Sequence, residues 1–149
     1  MRDWNIAWPP AHLESLTLRE KLAQLEENLR VLSAWQRTLS PESVRKDKKA
    51  EWALRYGFFE TIQILIDIAC HIVSKKNLGK PRSYAECIEL LEKEQYLNAG
   101  LAERIRGMVG LRNRLVHEYA EVDTARLVDF LSHLDDVRQF VDALKGEIL

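Results

Sequence analysis

The sequence has little glycine, proline and cysteine, and it carries almost no net charge. Its 149 residues include six glycines, four prolines and two cysteines, and the formal net charge is −1. No repeat or low-complexity tract is present either, and 46% hydrophobic with 30% charged residues is the balance of a soluble globular protein rather than a disordered or membrane one. A net charge so close to zero excludes a general field for nucleic acid or an anionic membrane, so any attraction to phosphate must be local.

Neither a cysteine framework nor a membrane-spanning segment is predicted. Cys70 and Cys87 do not form a C-x-x-C pair, and a chain of this length does not need a disulfide, so we expect reduced thiols in a cytoplasmic protein. Residues 1–15 lack a continuous apolar region and contain Pro9-Pro10, so we expect an irregular N-terminal arm and no signal peptide. No stretch approaches about 18 uninterrupted apolar residues, so we expect no membrane partner.

Strand-like alternation is missing too, whereas apolar residues recur at steps of three and four along nearly the whole chain. This spacing predicts an all-α protein, an up-and-down bundle of about five helices in a single domain over residues 1–149. The second helix is expected to run from 41 to 78, with loosening near the charge run 45–49, and the fourth to reach about Tyr119. We expect helices to begin near Thr17, at Pro41 after the N-cap Ser40, after a capping box at Ser83 to Glu86, after Asn98, and at Asp123 or Thr124.

The segment 58–73, FFETIQILIDIACHIV, is apolar around most of a helical circumference. Such a helix must be covered on more than one side, so we expect it either at the centre of the bundle or shared with a second subunit. A polar stripe also runs along it, and two interpretations stay open. It is the solvent face of the helix, or it lines a cleft in which Asp67 or His71 supports the chemistry. The stripe consists of Glu60, Gln63, Asp67, His71 and Ser74.

Arg112 occupies a position where the pattern of the fourth helix requires an apolar residue. On a helical wheel of about 100° per residue, it falls within the stripe formed by Leu101, Ile105, Met108 and Leu115. An unpaired guanidinium enclosed in a core is strongly unfavourable. Arg112 must therefore meet an anion, open onto a cleft or, as mid-helix arginines commonly do, pair with a carboxylate.

The opposite face of this helix carries polar residues and two glycines. Each glycine in a helix interior costs about 1 kcal/mol relative to alanine, which is easiest to understand if another backbone or a ligand approaches this face. Asn113 lies one turn before His117 and can hydrogen-bond to its ring, which favours one tautomer. The face comprises Arg106, Gly107, Gly110, Asn113, Arg114 and His117.

Arg112 and His117 form the candidate catalytic pair, although residues five apart on a helix point about 140° away from each other. The two side chains meet at one phosphate only if the arginine reaches around, the helix end distorts, or two subunits share a cleft. The glycine-lined face favours the shared cleft. A histidine near a helix end is otherwise a solvated residue or a contact with the helix dipole.

These residues and their surroundings resemble a known superfamily. The pattern R-N-x-x-x-H-x-Y (112–119) resembles the motif of the HEPN superfamily and, within it, of the HepT toxins. The likeness extends over residues 52–131, including D-I-A-x-H-I (67–72), K-P-R-S-Y (80–84) and M-V-G-L-R-N-R-L-V-H-E-Y (108–119). The arm and the first helix carry less of it.

The resemblance implies an all-α homodimer whose two motifs face each other across the interface. It implies a metal-independent endoribonuclease without a cofactor, in which His117 is the general base that takes the proton of the RNA 2′-OH. Arg112 offers forked donors to the phosphate as charge develops there. The products are a 2′,3′-cyclic phosphate and a 5′-OH end.

The resemblance also implies a partner and a modification. HepT toxins are paired with a minimal nucleotidyltransferase antitoxin, which transfers AMP to the motif tyrosine, here Tyr119. On a helix, Arg112 and Tyr119 lie about two turns apart on one face, so AMP on Tyr119 would occupy the phosphate position and block RNA. Taken alone, Tyr119 also fits an ordinary core aromatic with its hydroxyl at the edge.

Other polar residues carry weaker signals. Arg106 and Arg114 are candidate RNA contacts within a local basic track, or they are solvated surface. His117-Glu118 begins like the H-E-x-x-H metal motif, but Glu121 stands at the second histidine position, so we expect no metal site. The basic track that contains Arg106 and Arg114 also includes Lys75, Lys76, Lys80, Arg82 and Arg104.

Three functions remain open at this point. The first is the ribonuclease toxin. The second is a non-catalytic helical partner that binds a nucleotide or a nucleotidyltransferase through the same cleft. The third is a helical dimer without chemistry, which leaves Arg112 unexplained. The presence of both Arg112 and His117 favours the enzyme.

Overall fold

The computed structural model describes residues 16–117 and 122–148, which form an all-α bundle, so the predicted fold class is confirmed. The N-terminal arm (1–15) and Tyr119 lie outside the described residues. The helices are α1 (Leu18–Gln36), α2 (Pro41–Arg45), α3 (Lys48–Lys75), α4 (Tyr84–Lys93), α5 (Ala99–Val116), α6 (Thr124–Phe130) and α7 (Leu134–Ile148), and a 3-10 turn (Leu131–His133) joins the last two.

Side chains cap the N-termini of α5 and α4. Asn98 begins α5 as predicted, because its Oδ1 accepts a hydrogen bond from the Leu101 N–H at 2.8 Å. Ser83 begins α4 as predicted, and its Oγ accepts from the Glu86 N–H at 3.2 Å. The reciprocal half of the predicted capping box is wrong, because the Glu86 carboxylate accepts from the backbone N–H and the Nε of Arg82 at 3.1 and 3.3 Å.

The predicted second helix is in fact two helices, α2 and α3. The backbone of Asp47 is extended, with φ −131° and ψ 99°, and its carboxylate accepts from the N–H groups of Lys49 and Ala50 at 3.0 and 3.3 Å. Aspartate is a strong N-cap residue because it satisfies N–H groups that lack helical partners. The charge run therefore contains a helix start, where the sequence predicted only loosening.

Two further boundaries differ from prediction. The fourth predicted helix, α5, ends at Val116, and His117 follows as its C-cap with an extended ψ of 122°. The fifth predicted helix begins at Thr124, but the 3-10 turn divides it into α6 and α7.

α3 is the central helix of the described bundle, and it packs against α1, α4 and α5. Its antiparallel register with α1 is visible where Asn28 donates to Thr61 at 3.2 Å and where Leu32 lies over Gly57. A Cβ at position 57 would lie 3.3 Å from Leu32 Cδ2, so glycine permits this close approach.

α3 is also the one helix in the described part of the chain that is long and apolar enough to cross a membrane. Of its most apolar window, 61% is buried inside the protein. Packing at the centre of the bundle therefore accounts for the apolar composition of 58–73, as one of the two sequence interpretations expected.

The expectation of two reduced thiols is wrong for this structure, since Cys70 of α3 and Cys87 of α4 form a disulfide with their Cα atoms 5.2 Å apart. The segment between α3 and α4 brings α4 into contact with α3. A spacing of 17 residues gave no sign of this approach, because the pairing depends on how the two helices cross.

We expect reduction of this disulfide to lower the free energy of unfolding by about 3 kcal/mol, because a cross-link over a loop of this size limits the unfolded chain. Urea unfolding with and without a phosphine reductant measures the difference, and the double variant Cys70→Ser, Cys87→Ser should not respond to the reductant. Equal stability in both conditions, or two free thiols by alkylation and mass spectrometry of the untreated protein, would contradict the cross-link.

Candidate functional site

The side chain of Arg112 projects from α5 to the place where α3 and α4 pack against this helix. Its guanidinium carbon lies 5.4 Å from the centroid of the Phe59 ring on α3 and 5.1 Å from that of the Tyr84 ring at the start of α4. The side chain is half-buried. Aromatic rings attract a cation at such distances, which offsets part of the cost of removing the charge from water.

Two amide oxygens accept hydrogen bonds from this guanidinium. Nε of Arg112 donates to Oε1 of Gln63 at 2.8 Å, and Nη1 donates to Oδ1 of Asn113 at 3.1 Å. Gln63 in turn donates through Nε2 to Oδ1 of Asp67 at 2.9 Å. We call Phe59, Gln63, Asp67 and Tyr84 the arginine clamp.

The surroundings of Arg112 act on the pKa of its guanidinium in two opposite directions. Burial lowers the pKa of the Arg112 guanidinium, and its interactions with Tyr84 and Asp67 act in the opposite direction. Arginine has the highest side-chain pKa, so the group stays cationic near neutral pH. Arg112 therefore places a lasting positive charge, half-buried, between α3, α4 and α5.

Among the residues that the structure describes, Arg112 does not pair directly with a carboxylate, which was one of its three possibilities. Its acceptors there are the neutral amides of Gln63 and Asn113, and the Asp67 carboxylate stands one hydrogen bond further away. Within residues 16–117 and 122–148, the arginine is therefore held in place without a direct ion pair.

Some residues of the polar stripe on α3 form a solvent face, and others line the site of Arg112. His71 and Ser74 are exposed, as a solvent face requires. Gln63 is 0% exposed and Asp67 is partly buried, and both belong to the arginine clamp. Glu60 accepts from Asn28 on α1 at 2.9 Å and has a different role.

His117 is exposed at the C-terminus of α5. Its φ of −75° is close to the helical value, so its Cβ leaves the axis in the direction that the wheel gives, about 140° from Arg112. Among the described residues, no hydrogen bond joins the His117 ring to Arg112. Asn113 contacts Arg112 with its side chain and His117 through the backbone at 3.2 Å, so its predicted support of the His117 ring stays a prediction.

The glycines of α5 are exposed, as the wheel predicted. A Cβ added at Gly107 or at Gly110 would meet nothing within 4 Å. Packing among the described residues therefore gives no reason for glycine at either position.

The predicted basic track is partly engaged in ion pairs. Arg106 contacts Glu92 of α4 at 2.9 Å, and Arg104 contacts Asp136 of α7 at 2.9 Å. Partly exposed ion pairs of this kind are weak. Binding of RNA by Arg106 and Arg114 stays a prediction.

Sequence reasoning missed the roles of Phe59 and Tyr84 and assigned none to Gln63 individually. A signal was present, since Phe59, Gln63 and Asp67 follow each other at steps of four and so share one face of α3. Tyr84 gave no such signal, because it approaches Arg112 only through the packing of α4 on α5.

Residues 18–144 match the family described as Ribonuclease HepT-like. This match spans most of the chain and includes the arginine clamp, Arg112 and His117. The chain therefore belongs to the HepT-like ribonuclease family.

Individual relatives agree with this assignment. The mRNA nuclease HepT of Shewanella oneidensis is 39% identical over 83 residues, which are 55% of this chain and 62% of that protein. The tRNA nuclease HepT of Aphanizomenon flos-aquae is 48% identical over 61 residues, which are 41% of this chain and 42% of that protein. These alignments thus span only about half the length of the two relatives.

A solved structure matches over a longer range. It is the tri-AMPylated Shewanella oneidensis HEPN toxin in complex with an MNT antitoxin, with a TM-score of 0.78 and 27% sequence identity. The match covers 87% of this chain and 96% of that one.

We expect Arg112→Ala to lower the free energy of unfolding by about 1–3 kcal/mol, because it leaves the buried Oε1 of Gln63 without a donor. Urea unfolding measures the change, and Arg19→Ala, which removes an exposed arginine from α1, serves as the control and should alter stability little. An Arg112→Ala protein as stable as the parent would contradict the clamp.

Proposed function

We propose that this chain is the toxin of a toxin–antitoxin pair and that it cleaves RNA internally without a metal ion. The observation that carries this proposal is the half-buried guanidinium of Arg112, whose hydrogen bonds go to neutral amides, so that its charge remains available to a phosphate. Family membership and the nuclease relatives support the same activity. The cytoplasmic location expected from the sequence belongs to this proposal, since the substrate is cellular RNA.

His117 and Arg112 divide the chemistry between them. The imidazole of His117 takes the proton of a ribose 2′-OH, and the 2′ oxygen attacks the adjacent phosphorus. Negative charge grows on the phosphate oxygens, where the Arg112 guanidinium donates to them. The bond to the 5′ oxygen breaks, this oxygen takes a proton from water, and a 2′,3′-cyclic phosphate and a 5′-OH end remain.

The proposed active unit is a homodimer with a cleft between two α5 helices. Within one chain, the side chains of Arg112 and His117 diverge around the helix, which argues against a site made by one subunit alone. A second α5 close to Gly107 and Gly110 accounts for two glycines that packing among the described residues leaves unexplained.

Modification of Tyr119 is the proposed control of this nuclease. A minimal nucleotidyltransferase antitoxin directs the Tyr119 hydroxyl to the α-phosphorus of ATP, pyrophosphate leaves, the hydroxyl proton is lost, and AMP stays on the tyrosine. The added phosphate is an anion close in sequence to Arg112, where it competes with RNA for the guanidinium.

The unmodified protein is expected to cleave RNA in excess EDTA, whereas His117→Ala is expected to lose at least about 100-fold in rate, because it lacks the general base. The measurement is cleavage of a labelled RNA, with the cyclic-phosphate ends identified by mass spectrometry. No cleavage by a parent whose intact mass shows no modification would favour the non-catalytic binding partner instead.

Mixing the two inactive variants, Arg112→Ala and His117→Ala, separates a shared cleft from a site within one subunit. If two subunits share the cleft, subunit exchange should recover part of the activity, since some mixed dimers then combine an intact arginine with an intact histidine. A mixture as inactive as its components would contradict the shared cleft.

AMP transfer is expected to stop cleavage by the parent and to leave Tyr119→Phe both unlabelled and active. The readouts are intact mass and RNA cleavage after incubation with ATP and a minimal nucleotidyltransferase, and Tyr56→Phe, at an exposed tyrosine outside the arginine clamp, is the control for loss of a different hydroxyl. Labelling of Tyr119→Phe would place the acceptor elsewhere.

A further inference from the structure

We propose that Gln63 is a positioning residue, which holds Arg112 through Nε and leaves Nη2 of the guanidinium for the phosphate, while Asp67 sets the orientation of the Gln63 amide. This inference rests on the proposed ribonuclease function. It assigns a role to a buried glutamine on α3, far in sequence from the motif residues.

The burial of Gln63 requires that both ends of its amide be bonded. Its side chain is 0% exposed, and Gln63 and Thr61 are the two buried polar residues among those that the structure describes. A buried amide is unfavourable unless it forms hydrogen bonds. Here the oxygen accepts from Arg112 at 2.8 Å and the nitrogen donates to Asp67 at 2.9 Å.

Asp67 decides which end of the amide faces the arginine. An ionised carboxylate only accepts hydrogen bonds, so the NH2 group of Gln63 is the end that faces Asp67. The amide oxygen is consequently turned towards Nε of Arg112, which only donates. The two residues lie one turn apart on α3, so this arrangement is built into a single helix.

The hydrogen bond between Nε of Arg112 and Gln63 fixes the rotation of the guanidinium, which the aromatic contacts do not. Attraction between a cation and a ring depends on their separation and only weakly on rotation of the guanidinium within its own plane. A hydrogen bond is directional and fixes that rotation. Phe59 and Tyr84 therefore locate the guanidinium, and Gln63 orients it.

The neutrality of the amide preserves the charge of Arg112. A carboxylate at position 63 would form a direct ion pair with the guanidinium and compete with the phosphate. Gln63 instead occupies Nε alone, and among the described residues the structure gives Nη2 no hydrogen-bond partner. Nη2 is thus the terminal nitrogen that a phosphate can approach, beside Nη1, which donates to Asn113.

Two variants of Gln63 test this role through RNA cleavage. Gln63→Met keeps the length of the side chain without its hydrogen bonds, and we expect kcat to fall by about 100-fold with little change in KM, because misplaced catalytic groups slow the chemical step. Thr61→Val is the matched control. It removes the other buried polar group of α3, which accepts from Asn28 at 3.2 Å, and should leave kcat unchanged.

Gln63→Glu gives a pH signature that a purely structural role would not produce. The charged glutamate neutralises Arg112 and repels Asp67, whereas its protonated form has the same donor and acceptor layout as glutamine. We therefore expect the ratio of variant to parent kcat to rise towards one as the pH falls. A ratio that is flat with pH, or a fully active glutamate variant at high pH, would overturn the role assigned to neutrality.

A measurement without RNA keeps the positioning role separate from the proposed function. In 1H–15N NMR spectra, the Nε–H of Arg112 should give a resonance protected from solvent exchange, which Gln63→Met loses and Thr61→Val retains. An unchanged resonance in Gln63→Met would overturn the positioning role whatever the activity. Absence of cleavage by the parent, with the NMR result as expected, would overturn the proposed function and leave the hold on Arg112 established.

Discussion

The half-burial of one guanidinium is the constraint around which this structure is organised. Removing a cation from water is unfavourable, and it is tolerated only where other groups replace the lost hydration. Two rings and two amide oxygens do so for Arg112, and they come from α3, α4 and α5 itself. The geometry of the site therefore depends on the packing of three helices and cannot be altered independently of it.

α3 combines two tasks that usually conflict. It provides much of the buried apolar surface of the bundle, and the same helix presents Gln63 and Asp67 to the arginine. The conflict is resolved because the polar pair lies on one face, one turn apart, and the Gln63 amide is bonded at both ends, to Asp67 and to Arg112. With an apolar residue in place of Gln63, α3 would not offer this acceptor to Nε of Arg112.

Much of the fold could be read from the sequence because its signals are local. Leucine spacing and the capping residues Ser83 and Asn98 act within one helix, and each produced the expected start. The anomaly at Arg112 was likewise visible in a single periodic stripe. The approach of Tyr84 to Arg112 and the pairing of Cys70 with Cys87 were not predictable, because both depend on how separate helices cross.

The contact between Gln63 and Arg112 spans 49 residues of chain. During synthesis, α3 and α4 leave the ribosome before α5, so the guanidinium of Arg112 meets its acceptor only after α5 has emerged and packed on α3. A nascent chain without α5 therefore presents no oriented guanidinium. In the ribonuclease proposed above, the order of the helices along the sequence completes the arginine clamp last, after the two helices that supply its rings and its amide.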